Sequence, residues 1–161
     1  MTRKEYNNSV DLYSDNLFRF IQKSIEDVEK AKDIVQESYA KLWMKHENVS
    51  VEKVKSYLFS TAYHTMIDGI RKEKKQAEFN EADFNRYSID NAYSDLQEIL
   101  HEALNKLPEV QKSVILLRDY EGYNYAEIGE ITNLSEQQVK VYIFRGRKFL
   151  QKYIGSIEAV L

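Results

Sequence analysis

The 161-residue sequence contains no cysteine, a single proline and five glycines. The absence of cysteine excludes a disulfide scaffold, cysteine zinc sites and thiol catalysis, and is typical of proteins in a reducing cytosol. Proline and glycine together form about 4% of the chain, against about 12% in average proteins. A many-stranded sandwich or barrel needs more turn-forming residues than this, so the composition predicts an all-α protein.

Long apolar runs are also missing. The longest purely aliphatic run covers residues 114–117, whereas a membrane-spanning helix needs about 20 apolar residues. The first residues lead into no signal-peptide pattern. The sequence therefore predicts a cytoplasmic protein without direct membrane insertion, and its hydrophobic content of 43% favours folded domains over disorder.

Signals of catalysis are scarce. The three histidines, His46, His64 and His101, are scattered, and the segment after His101 lacks the second histidine of the zinc-protease pattern. The sequence contains neither a glycine-rich phosphate loop nor a nucleophile elbow. We therefore predict a protein that is not an enzyme and has no catalytic residue, no cofactor and no metal site.

The charge is distributed unevenly. The formal net charge of -3 argues against tight binding of the whole chain to bare nucleic acid. Residues 77–95 carry five acidic groups and one basic group, whereas residues 135–152 carry five basic groups against Glu136 alone. A local basic face can bind phosphates while the whole protein stays acidic.

Helical periodicity occupies two parts of the chain. The first part predicts helices over 10–25, 28–46 and 51–76, and the second predicts helices that begin near Ser94, Pro108, Asn124 and Ser135. The last helix is expected to end near Tyr153, and Asn133 can adopt the left-handed conformation in the turn before it. In the third helix, a row of Phe59, Tyr63 and Ile67 widens the apolar arc beyond what one small domain usually covers. Residues 77–93 lose the periodicity. The sequence predicts two small helical bundles, 1–76 and 94–161, joined by an acidic linker over 77–93.

The last two predicted helices form a helix-turn-helix pattern, with a short helix, a tight turn and a longer helix with a basic face. An α-helix fits the major groove, with polar side chains at base edges and cations on phosphates. Gly129 and Gly146 are expected to let these two helices approach closely. The candidate DNA-binding residues are Ser135, Gln137, Gln138, Lys140, Val141, Arg145, Arg147 and Lys148. An ordinary amphipathic helix with a solvated basic face would show the same pattern.

Several segments, in order, resemble bacterial RNA polymerase sigma factors. Residues 107–112 (LPEVQK), 120–128 (YEGYNYAEI) and 139–150 (VKVYIFRGRKFL) resemble their promoter-binding C-terminal domain. Residues 33–43 (DIVQESYAKLW) are similar to the helix that binds the polymerase, and residues 57–72 to the segment that melts and reads the minus-ten promoter element. With two domains and a short linker, the sequence resembles the extracytoplasmic-function group. The recognition helix starts with SEQQ at 135–138 instead of the family's usual pattern, so the promoter sequence is not predicted.

The resemblance implies roles for particular residues. The polymerase-binding face of the second helix would be formed by Asp33, Gln36, Glu37 and Lys41. The minus-ten DNA would be bound by aromatic rings that stack on bases and by cations that contact phosphates. The residues in these roles would be Tyr57, Phe59, Tyr63, His64, Arg71, Lys72, Lys74 and Lys75. The C-terminal helix-turn-helix would bind the minus-thirty-five element. The implied partners are core RNA polymerase, promoter DNA and an anti-sigma factor linked to the membrane.

Two other functions fit the same residues. A helix-turn-helix repressor or response-regulator output protein would bind palindromic duplex DNA without polymerase. A helical adaptor that binds only protein would show no dependence of DNA binding on Lys140 or Arg147. In contrast, a sigma factor benefits from weak DNA affinity in isolation, because polymerase then joins two modest contacts at high effective concentration.

Overall fold

The computed structural model describes residues 1–79 and 96–160. Its helices are α1 (Arg3–Ile25), α2 (Val28–Met44), α3 (Val54–Phe79), α4 (Leu96–Asn105), α5 (Glu109–Ile115), α6 (Tyr125–Thr132) and α7 (Glu136–Val160). Two 3-10 turns, His46–Asn48 and Val51–Lys53, join α2 to α3, and a π-helical turn, Leu116–Tyr120, continues α5. The described residues contain no strand, so the all-α prediction is confirmed.

Several helix ends differ from the predicted ones. Helix α1 begins seven residues earlier than predicted, because Thr2 and Glu5 form reciprocal side-chain to backbone hydrogen bonds of 3.1 Å at its start. Helix α3 continues to Phe79, so 77–79 of the predicted linker are helical, and 80–93 lie outside the described residues. Helix α7 continues to Val160, beyond the predicted end near Tyr153.

The N-terminal bundle consists of α1, α2 and α3, each of which contacts the other two. The predicted apolar stripes meet in one core, where Leu17, Ile21, Leu42 and Leu58 are fully buried. Trp43, in contrast, is 40% exposed. It follows Leu42 by one residue and therefore lies about 100° further round α2, away from the core. Its ring lies outside that core, stacked on His46 with centroids 4.3 Å apart.

The C-terminal bundle surrounds α7, which packs on α4, α5 and α6. The predicted helix signals at its turns are confirmed. Asn124 and Glu127 form a reciprocal cap at the start of α6, and Asn133 ends this helix in the left-handed conformation with φ 60°. Ser135 and Gln138 form a second reciprocal pair at the start of α7, with bonds of 3.0 and 3.1 Å. These caps fix the helix-turn-helix geometry.

Two glycines allow close packing in this bundle, but the contacts differ from the prediction. A Cβ on Gly129 would lie 2.8 Å from the backbone oxygen of Leu134, so Gly129 lets the turn fold closely over α6. A Cβ on Gly146 would overlap the Cδ1 atom of Ile115. Gly146 therefore lets α7 approach α5, and not α6 as the sequence pattern suggested.

The two bundles contact each other directly. Helix α3 packs on α6, and α1 touches α5 and the π-helical turn. Phe59 of α3 meets the ring of Tyr123 at a centroid distance of 5.2 Å and an interplanar angle of 67°. The wide apolar arc of α3 is therefore buried in two contacts. One part packs within the N-terminal bundle, and the other packs on the C-terminal bundle at α6.

Candidate nucleic-acid interface

The N-terminal half of α7 presents an exposed polar and basic face. All eight predicted DNA-binding residues are exposed, whereas Val139, Ile143 and Gly146 are buried against the bundle. The helical repeat separates these two sets, because the buried positions recur every three or four residues. The side chains of Ser135 and Gln138 bond to each other's backbone, so they shape the helix start.

Apolar residues interrupt this polar face. Phe144 is 67% exposed and Val141 is 40% exposed, and both lie on the same side of α7 as Lys140 and Arg145. A shallow groove of about 320 Å³ runs along Gln137, Val141 and Arg145. Phe144 was not predicted from the sequence, because an aromatic residue in an amphipathic helix is normally assigned to the core.

A network of cations surrounds Tyr125, the first residue of α6. The guanidinium of Arg118 lies 4.9 Å from the centroid of the ring, and the Lys140 ammonium lies 5.7 Å from it. Arg118 also donates a hydrogen bond of 2.9 Å to the carbonyl of Tyr123. Tyr125 thus orders two cations beside α7 by cation–π interactions. Sequence reasoning missed Arg118, since 22 residues separate it from Lys140 and only the fold brings them together.

Arg147 differs from the other cations of α7 because it has an acidic partner. Its guanidinium donates bonds of 2.5 and 3.3 Å to the carboxylate of Asp119, on the π-helical turn. Hydrogen bonding to Asp119 raises the pKa of Arg147. The carboxylate offsets the arginine charge, so this side chain attracts a phosphate less strongly than an arginine without such a partner.

The predicted polymerase-binding residues form one exposed face of α2. Asp33, Gln36, Glu37 and Lys41 are all exposed, with the spacing of a single helical stripe. Lys41 lies 3.3 Å from the Glu37 carboxylate and 3.4 Å from the hydroxyl of Thr65 on α3. An exposed pair of this kind contributes about 0.3–0.5 kcal/mol, so a partner protein can displace it at small cost.

The predicted minus-ten residues of α3 differ in how much of each side chain is exposed. The five exposed ones are His64, Arg71, Lys72, Lys74 and Lys75, and Tyr57 is half-buried. Phe59 and Tyr63, however, are 0% and 4% exposed, so in this conformation neither ring can stack on a base. Phe59 lies between Phe20 of α1 and Tyr123 of the C-terminal bundle, at 5.8 and 5.2 Å. Burial also raises the pKa of the Tyr63 phenol.

No group of three or more histidine and acidic residues within 1–79 and 96–160 is placed to hold a metal ion. Among the helices of the same ranges, none has a stretch long and apolar enough to cross a membrane.

Comparisons with known proteins agree with this geometry. The sigma-70 region 2 model matches residues 10–76, and the sigma-70 region 4 model matches residues 97–150. The sequence is 32% identical over 142 residues to RNA polymerase sigma factor SigV of Bacillus subtilis, covering 86% of this chain and 84% of that protein. It is 27% identical over 146 residues to ECF RNA polymerase sigma factor SigM of the same organism, covering 87% and 89%.

Solved structures share the fold. The sigma factor RpoE of Bartonella quintana, solved with the anti-sigma factor NepR, matches with a TM-score of 0.78 and 23% identity over 94% of this chain and 98% of that chain. The comparisons give no support to a repressor or an adaptor. Both sigma-70 regions are present in the family's order, and each coincides with one helical bundle. The chain therefore belongs to the extracytoplasmic-function group of RNA polymerase sigma factors, which direct transcription initiation at promoters.

Proposed function

We propose that this sigma factor divides its work among three helices. Helix α2 binds core RNA polymerase, α3 contacts the minus-ten element, and α7 binds the minus-thirty-five element. The observation that carries the proposal is the exposed basic face of α7 inside a helix-turn-helix whose two helices are both capped. The exposed charged stripe of α2 lies in the other bundle, so the two surfaces can serve different partners.

Recognition of duplex DNA would begin with phosphate contacts. Lys140, Arg145 and Lys148 are exposed along α7, and cations of this kind fix the position of a protein on the duplex. Gln137 and Val141 lie near the start of the helix, where side chains reach base edges in the major groove. An amide can pair with adenine, and a valine methyl can contact the methyl group of thymine.

The C-terminal end of α3 would contact the opened strands near the start site. Four exposed cations lie within five residues there: Arg71, Lys72, Lys74 and Lys75. Their charge suits the phosphates of single-stranded DNA, and exposed His64 lies two helical turns before Arg71. We assign core polymerase binding and minus-ten recognition to the domain of residues 1–76, and minus-thirty-five recognition to the domain of residues 94–161, with the acidic linker 77–93 between them.

An anti-sigma factor is a further proposed partner. RpoE of Bartonella quintana was solved with the anti-sigma factor NepR, and CnrH, with a TM-score of 0.70 and 17% identity, with the cytosolic domain of CnrY. We propose that this chain is likewise held inactive by an anti-sigma factor in the cytoplasm. It would have no enzymatic activity of its own, since a sigma factor supplies binding and the polymerase supplies the chemistry.

Run-off transcription tests the proposal. The purified chain is added to core RNA polymerase on a promoter library, and gel shifts are compared with and without polymerase. We expect initiation from a subset of promoters, and weak duplex binding by the chain alone. Tight binding to a palindromic duplex without polymerase would instead support a repressor.

Charge reversal tests the polymerase-binding face. The double variant Asp33→Lys/Glu37→Lys should lose association with core polymerase and keep its helical content. The control Asp11→Lys/Asp15→Lys makes the same charge change at two exposed positions on α1. Equal binding by the α2 variant and the wild-type chain would refute the assignment of this face.

A further inference from the structure

The π-helical turn Leu116–Tyr120 places two consecutive residues of opposite charge beside the helix-turn-helix. Arg118 lies over the ring of Tyr125, the first residue of α6. Asp119 is exposed and pairs with Arg147 of α7, 28 residues further along the chain. Turns of this kind are rare in proteins, and many of them lie at functional sites. Here the turn brings a carboxylate to the basic face of α7.

The carboxylate of Asp119 accepts two hydrogen bonds from one edge of the Arg147 guanidinium. Nε of Arg147 donates to Oδ2 at 3.3 Å, and Nη2 donates to Oδ1 at 2.5 Å. A phosphate group accepts the same two parallel hydrogen bonds from an arginine. Asp119 therefore occupies donors that Arg147 would otherwise offer to a phosphate of the DNA backbone.

This ion pair lies at the surface of the C-terminal bundle. The Arg147 side chain is 46% exposed and the Asp119 side chain is 38% exposed. Water screens both charges at such a position, so the pair contributes little to the stability of the fold. A phosphate that approaches from solvent can reach the guanidinium, but it must compete with the carboxylate for it.

Arg147 belongs to a group of three cations around Tyr125. Lys140 precedes Arg147 by seven residues, about two helical turns, so both side chains lie on the same side of α7. The Lys140 ammonium and the Arg118 guanidinium lie 5.7 and 4.9 Å from the centroid of the Tyr125 ring. Hydrogen bonding to Asp119 raises the pKa of Arg147, and the Tyr125 phenol acts in the same direction. Asp119 thus supplies a negative charge to a corner of the interface that three cations share.

The other cations of the interface differ from Arg147 in this respect. Of the α7 cations that the structure describes, only Arg147 forms an ion pair within 4.0 Å. Each phosphate that a protein cation neutralises contributes about 0.9 to the slope of log affinity against log salt concentration. Arg145 and Lys148 can each contribute in full, whereas Arg147 contributes only to the extent that it leaves Asp119.

We propose that Asp119 is an internal substitute for a DNA phosphate, which occupies Arg147 and lowers the affinity of α7 for duplex DNA. The inference rests on the proposed function of α7. Phosphate contacts carry no sequence information, so Asp119 lowers the affinity for a promoter and for any other duplex by the same factor. A weak duplex contact suits a chain that acts when polymerase holds both of its domains on one promoter, because two modest contacts then act at high effective concentration.

Salt titrations of duplex binding by the full chain, without polymerase, test the proposal. The probe is a fluorescein-labelled duplex of mixed sequence, and non-specific binding with a Kd of about 1–100 μM is measurable by fluorescence anisotropy. Asp119→Asn keeps the size of the side chain and removes its charge. We expect about two- to fivefold tighter binding, since an exposed ion pair is worth about that factor, and a slope steeper by about 0.5–0.9. Asp119→Glu keeps the charge and should bind like the wild type.

Two controls separate the release of Arg147 from a general effect of charge. Glu130→Gln removes one negative charge from an exposed position on α6 of the same helix-turn-helix. It should raise the affinity less than Asp119→Asn does and leave the slope unchanged, because it releases no cation. In the Arg147→Ala background, Asp119→Asn should also leave the slope unchanged. Circular dichroism of each variant checks that its helical content is that of the wild type.

The outcomes separate this inference from the proposed function. Weaker duplex binding by Asp119→Asn overturns the inference, because Asp119 would then position Arg147 for DNA. Equal effects of Asp119→Asn and Glu130→Gln, or a slope increase that persists with Arg147→Ala, overturn it as well. Failure of the proposed function has a different signature, in which Arg145→Ala changes neither the affinity nor the slope. If Arg145→Ala flattens the slope and Asp119→Asn does not steepen it, only the inference fails.

Discussion

Replacing Gly146 by alanine tests the close contact between α7 and α5. Any glycine in a helix interior that becomes alanine gains up to about 1 kcal/mol of stability from helix propensity. At Gly146 the new Cβ would overlap the Cδ1 atom of Ile115, which is 2% exposed, and would lie 3.7 Å from Leu107 Cδ1. Overpacking of this kind costs about 1–3 kcal/mol, so Gly146→Ala should destabilise the chain by about 0–2 kcal/mol.

Gly155 provides the matched control in the same helix. A Cβ there would meet no atom within 4 Å, so Gly155→Ala should stabilise the chain by about 0.5–1 kcal/mol. The gain in helix propensity is common to both variants. The difference between them, about 1–3 kcal/mol, therefore reports the overlap with Ile115.

The assay is urea unfolding followed by far-ultraviolet circular dichroism. The free energy of unfolding of each variant is obtained from its linear dependence on urea concentration and compared among variants. Ile115→Val removes the overlapping Cδ1 atom and by itself costs about 0.5–1.5 kcal/mol. In the Ile115→Val background, Gly146→Ala should no longer destabilise. Equal stability of Gly146→Ala and Gly155→Ala, or additive effects of Gly146→Ala and Ile115→Val, would refute the packing argument.

Three further predictions concern the DNA-binding face and a buried phenol. Tyr125→Leu should weaken binding of the polymerase complex to the upstream promoter by about two- to fivefold, measured by fluorescence anisotropy, whereas Tyr125→Phe keeps the ring and should bind nearly normally. Arg145→Ala should reduce the slope of log affinity against log salt concentration by about one. Arg147→Ala should reduce this slope less, because the Asp119 carboxylate already offsets the charge of Arg147. Equal slopes for the two variants would contradict this. Burial raises the pKa of Tyr39, so the folded chain retains that proton above pH 10, where the unfolded chain releases it. The free energy of unfolding should therefore fall as the pH rises past 10, and less steeply in Tyr39→Phe; identical profiles would refute this.

Much of the local structure could be predicted from the sequence, because helix signals act over a few residues. The reciprocal pairs at Asn124 and Ser135 and the left-handed Asn133 were all visible in the chain. Helix ends were less predictable where the cap lay outside the apolar pattern. The early start of α1 depends on Thr2 and Glu5, which precede the first apolar repeat of that helix.

The DNA-binding face was only partly predictable. Positions on one side of α7 follow from the helical repeat, so the exposure of residues such as Lys140 and Arg145 could be expected. The fold alone brings Arg118 to Tyr125 and Asp119 to Arg147, because these pairs join separate elements. The effect of these pairs on the charge of the DNA-binding face therefore could not be obtained from a count of the basic residues of α7.

The sequence by itself determined the helices, their caps and the amphipathic faces, since spacing along one chain controls each of them. It also contained an apolar arc on α3 that is too wide for one bundle. Only the tertiary structure showed that Tyr123 covers part of this arc and that Lys112 caps α1. The physical reason is that burial and desolvation of these groups depend on which surfaces meet in space, and residues far apart in sequence supply them.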